Sequence, residues 1–117
     1  MGTWGPGNFE NDAALDMVQE VLGVAKTEIE AFCASGRVGV EDLEEILAAM
    51  AVHLALHEHC NASAPNPDLA RTLREKVLRI YDAEIDSLKP DEDYKAERRA
   101  AIVETVTRYE EAAHTVA

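Results

Sequence analysis

The stretch from Asp12 to Gly36, "DAALDMVQEVLGVAKTEIEAFCASG", decides how the rest of the chain is read. Leu15, Val18, Leu22, Ala25, Ile29 and Phe32 recur at alternating spacings of three and four. A helix of 3.6 residues per turn gathers such positions onto one stripe, whereas a strand would scatter them over both faces. The spacing predicts a helix over residues 12–35, with Asn11 or Asp12 as its N-cap and Gly36 as its C-terminal stop. Gly23, inside it, costs about 1 kcal/mol relative to Ala and marks either a close helix crossing or a bend.

The same period continues along the chain. In "VEDLEEILAAMAVHLALHEHC", Leu43, Ile46, Leu47, Met50 and Leu54 form the inward stripe of a second helix over residues 41–60. "NASAPNP" reads as a loop, after which Asn66 caps and Pro67 opens a third helix over residues 67–89. Its stripe runs through Leu69, Leu73, Val77, Ile80 and Leu88; Glu84 interrupts it and Ile85 fills the gap. Pro90 stops that helix. Asp91 is the expected cap of a fourth, over residues 91–115, which carries Tyr94, Ala101, Ile102, Val106, Tyr109 and Ala113 inward. Four such helices joined by short loops predict an all-α fold: a single-domain antiparallel four-helix bundle with an ordered Gly-rich N-terminal segment over residues 1–11. Up-down-up-down order would gather the start of the first helix, the end of the second, the start of the third and the end of the fourth at one end.

Composition narrows the function. The 117 residues include 23 acids against 11 bases, a formal charge of -12, which disfavours nucleic acid and favours either solubility or a basic partner. No stretch has the roughly 18 apolar residues of a membrane span, and the opening residues lack the basic and apolar regions of a secretory signal. Cys33 and Cys60 are too few for a disulfide scaffold. The expected location is the cytoplasm, and monomer and homodimer both remain open.

Ahead of the first helix, "MGTWGPGNFEND" concentrates three glycines, a proline and the only tryptophan. Gly2, Gly5 and Gly7 give access to backbone conformations closed to other residues. Trp4 and Phe9 are expected to fold back as a lid, either as a plug for the open end of the bundle or, with Asn11 and Asp12, as a rigid binding loop. Met1, Gly2, Trp4, Gly5, Gly7, Phe9, Asn11, Asp12, Ala14 and Asp16 carry a resemblance to the bacterial family known as domain of unknown function 4259. The resemblance implies a small helical bacterial protein without an assigned activity, and it carries over no catalytic residue.

A second concentration is "HLALHEHCN". His53 and His57 lie one helical turn apart, a spacing that suits a divalent metal such as zinc. With His114, which shares a face with Glu111, or with His59, they make a candidate three-ligand site. A di-iron bundle is excluded because only one Glu-x-x-His motif occurs, and a zinc-protease helix fails at Asn61. No phosphate loop, nucleophile elbow or Cys-x-x-Cys is present. The expected function is a non-catalytic protein-interaction module, of the immunity or antitoxin-like kind, without a cofactor. The alternative is a small metal-dependent enzyme using the histidine end.

Overall fold

Asn11 starts the first helix: its side-chain oxygen accepts from the Ala14 N–H at 2.8 Å, and α1 runs from Asp12 to Ala34. The computed structural model describes residues 3–36 and 38–114. Met1 and Gly2 of the opening motif, and Thr115 at the predicted end of the fourth helix, lie outside them. After α1 come a 3-10 turn at Val40–Asp42, α2 (Leu43–His59), α3 (Pro67–Glu84), a second 3-10 turn at Ile85–Leu88, and α4 (Glu92–Ala113). The fold is an all-helical bundle, as the four stripes require.

The helix ends differ from expectation for local reasons. Gly36 is not a left-handed cap; α1 ends on an extended Ser35. The Lys76 ammonium, arriving from α3, takes the Phe32 and Ser35 carbonyl oxygens at 2.5 Å each. A cation from a neighbouring helix thus does what a C-terminal glycine usually does. The third helix tightens at Ile85 rather than continuing to residue 89, and Lys89 takes the left-handed conformation that ends the turn. Asp91 occupies the N-cap of α4 but forms no capping hydrogen bond. Glu84, the break in the third stripe, accepts from the Val40 N–H at 3.3 Å and places a carboxylate at the entry to the second helical segment. Leu88 and Tyr94, both expected inside, are exposed beside that turn.

Polar clamps define the packing. Arg99 pairs with both Asp82 oxygens, Lys95 with Asp86 and Arg74 with Glu110, so α3 and α4 run in opposite directions. Tyr81 adds a hydrogen bond to the Lys95 carbonyl at 2.8 Å. Asn61, just past α2, donates to the Phe9 carbonyl ahead of α1 at 2.9 Å, which sets that hairpin antiparallel as well. Helix α2 also packs along α4, and α1 along α3. The order around the bundle is therefore α1, α2, α4, α3, and the connection over residues 60–66 crosses one end.

Among the described residues the apolar side chains form two cores. The larger joins all four helices through residues such as Ile29, Met50, Leu73, Val77, Ile102 and Val106. The smaller holds Val18, Leu22 and Ala62, with Phe9, Leu56 and Cys60 packed around them, and takes nothing from α3 or α4. The molecule is accordingly long, 55 × 29 × 22 Å.

Candidate functional site

The histidine end is built around His53, which the inward stripe of α2 buries to 2% exposure. Its Nε2 lies 2.9 Å from the Ser63 carbonyl oxygen and its Nδ1 2.8 Å from the Tyr109 hydroxyl. A carbonyl can only accept, so Nε2 carries the hydrogen and Nδ1 accepts from Tyr109. Burial holds His53 below the usual histidine range, and pushes the Tyr109 hydroxyl well above the usual tyrosine range. The two rings meet edge-on, with centroids 5.4 Å apart. One turn later, His57 Nδ1 donates to the Ala62 carbonyl at 2.8 Å. Both imidazoles thus hold the backbone of the crossing loop. His59 and His114 are exposed. The structure does not gather His53, His57 and His114 into one ligand set: among the described residues no three His, Cys, Asp or Glu side chains converge on a common point. Nor is Cys33 an activated thiol, since burial pushes it above its ordinary value.

The N-terminal segment is ordered differently from the expected lid. The Trp4 N–H donates to the Glu10 carbonyl at 3.0 Å, and Thr3 and Asn11 form an isolated antiparallel bridge, so residues 3–11 close a small loop. Phe9 packs on the smaller core. Trp4 does not; it is 52% exposed. Phe9, Leu56 and Cys60 are the side chains that pack around that core. Gly5 and Gly7 both have ordinary negative φ angles. The Glu10 carboxyl group lies over both, where a Cβ would displace it, but the end of a flexible side chain can move aside and does not by itself require glycine. Asn11 is the helix cap and Asp12 the first helical residue.

A cleft of about 430 Å³ lies on the other side of the bundle, against Val40, Tyr81, Ile85, Tyr94, Arg98 and Ile102. Its rim mixes Glu44 and Asp91 with Lys89 and Arg98, and so favours neither sign of ligand. The Tyr81 hydroxyl is occupied by the Lys95 carbonyl.

The remaining feature is the outer face of the α1–α2 hairpin. Met17, Val21, Val24 and Val52 are 68%, 43%, 71% and 43% exposed. Val21, Val24, Ala48 and Val52 line a groove of about 350 Å³ with Ala25, Ala49 and Glu28. The sequence carries this signal as well. Positions 17, 21 and 24 form a second three-and-four series beside the core stripe, and Ile46–Leu56 contains no Asp, Glu, Lys or Arg. A helix apolar on every side expects cover on every side.

Charge is divided just as unevenly. Residues 1–60 hold eleven acids and two bases, a charge of -9, while residues 61–117 hold twelve acids and nine bases, a charge of -3. Every ion pair among the described residues uses a base from α3 or α4, and Glu58 alone among the acids of α1 and α2 takes part in one. Asp16, Glu20, Glu28 and Glu45 are exposed on the hairpin without an ion-pair partner among the described residues.

An all-helical bundle with an N-terminal loop closed on itself, an acidic hairpin and an exposed apolar face on that hairpin defines a small helical domain. The family model described as Domain of unknown function (DUF4259) matches residues 2–116, and the chain belongs to that family. No curated protein and no solved structure matches the chain. Among the described residues, no helix is long and apolar enough to cross a membrane.

Proposed function

We propose that this chain is a non-catalytic protein-interaction module of the cytoplasm, acting in the manner of an immunity or antitoxin protein by covering part of a basic partner. The observation that carries this reading is the apolar groove on α1 and α2, set among acids that have no ion-pair partner among the described residues. Burying exposed valine and methionine side chains supplies affinity, at about 25 cal/mol per Å² of apolar surface before the costs of association. The surrounding carboxylates steer a basic protein to the face and disfavour acidic ones. The histidine end has a different role on this reading: its imidazoles fasten the loop that joins α2 to α3, and His53 also ties α2 to Tyr109 of α4.

Site-specific photo-crosslinking in cells tests the reading. A benzophenone side chain at Val24 or Val52 should give an adduct with a basic protein, and the same group at Glu104 on α4 should not. Adducts confined to Glu104, or to Leu88 beside the cleft, would place the working surface elsewhere and overturn it.

A further inference from the structure

The groove also restricts the shape of what fills it. We infer that the α1–α2 face receives one amphipathic α-helix of a partner protein, with an apolar stripe flanked by Lys and Arg; this rests on the interaction-module reading above. The first argument concerns the backbone. The groove lies between two helices whose own peptide groups are satisfied, and its lining is aliphatic apart from Glu28. An extended peptide laid there would lose water from its N–H and C=O groups and find no sheet edge to replace it, whereas a helix satisfies its backbone internally.

The second argument concerns size and spacing. From Met17 to Glu28 the α1 ridge is roughly 17 Å long at 1.5 Å per residue, the length of about three helical turns. Met17, Val21 and Val24 present side chains at the interval a facing helix presents its own. Ala48 and Ala49 keep the floor low, which lets a third helix approach closely.

The third argument concerns charge, and it decides between a partner and a second copy. Asp16, Glu20, Glu28 and Glu45 accompany the apolar positions, and neither Lys nor Arg occurs on α2. Two copies related by a twofold axis would bring this acidic set against itself, which a compact interface disfavours. A helix with basic flanks meets complementary charge along its whole length.

The test uses the full chain and labelled model peptides of about 18 residues, followed by fluorescence anisotropy at physiological salt. One peptide is an amphipathic Leu/Lys helix, the second its composition-matched scramble without an apolar face, and the third the Leu/Glu counterpart. The amphipathic basic peptide should bind at least about tenfold tighter than either other peptide. The double variant Val24→Asn/Val52→Asn, which leaves charge unchanged at two exposed positions, should weaken it by about tenfold. Equal binding of the basic scramble, lost in Glu20→Gln/Glu28→Gln, would overturn the helix while leaving a basic partner in place. Binding of neither basic peptide, or a dimer in sedimentation velocity that Val24→Asn disperses, would overturn both.

Discussion

The Lys76 ammonium touches Phe32 twice, 2.5 Å from its carbonyl oxygen and 4.8 Å above the centre of its ring. One side chain of α3 therefore closes the end of α1 and holds the two helices in register. Lys76→Met keeps the apolar stem but leaves the Phe32 and Ser35 carbonyls without their cation. It should lower stability by about 1.5 kcal/mol, read from the urea midpoint at unchanged m-value, and Lys76→Arg should recover part of that loss. An unchanged midpoint for Lys76→Met would show that water replaces the ammonium at no cost.

His53 makes stability depend on pH in a defined sense. Its folded pKa lies below the unfolded value near 6.5 because burial disfavours the charged ring. Below 6.5 the unfolded chain therefore binds a proton that the folded chain resists. The contribution is complete above pH 6.5 and falls as pH drops toward the folded pKa. Protonation would also place a hydrogen on Nδ1, where Tyr109 now donates. His53→Gln should be less stable at pH 7.5, and its stability should fall less steeply between pH 6.5 and 5 than that of the native chain, by up to one proton. Parallel slopes would mean that His53 titrates normally.

Gly23 has open space around it: a Cβ there would meet nothing within 4 Å. Neither a close crossing nor a glycine-only backbone angle explains the residue, and nothing else in the structure does. Gly23→Ala should raise stability by about 0.5–1 kcal/mol through helix propensity alone. Calorimetry would show it as a melting temperature several degrees higher; a decrease would reveal a packing role that the geometry does not contain.

Trp4 and Phe9 should separate cleanly. Trp4 emission should resemble that of a largely hydrated indole, and Trp4→Ala should cost under about 1 kcal/mol, since its side chain is half exposed. Phe9→Ala removes a ring from the smaller core and should cost more, about 2 kcal/mol. A blue-shifted tryptophan spectrum would restore the plug.

The helices were legible because each must bury a stripe, and burial of Val18, Leu22, Ile29, Ile102 and Val106 follows directly from their spacing. Spacing says nothing of which helix arrives opposite. Hence Lys76 as the cap of α1, the placement of α2 beside α4, and the 3-10 turn at Ile85–Leu88 had to be read from the structure. The spacing places His53 and His57 on or beside the inward stripe, and His53 is buried while His57 is half-buried; their hydrogen-bond partners come from a loop and from a helix far along the chain. The outer face went unread because alanine and valine beside a core stripe look like a wider core. In the folded chain α3 and α4 both pack elsewhere, and the face stays exposed among the described residues.

The smaller core has a consequence for motion. Because Val18, Leu22 and Ala62 are packed by neither α3 nor α4, the first turns of α1 can part from the end of α2 while the four-helix region stays shut. Amide hydrogens there should exchange through a local opening, ahead of those around Met50 and Val77. Met17 and Val21 lie on the section that would open, whereas Val52 adjoins buried His53. A molecule gripping all three positions would bridge soft and hard parts of one hairpin, and its binding would be felt as slower exchange at Phe9 and Asn61, which it need never touch.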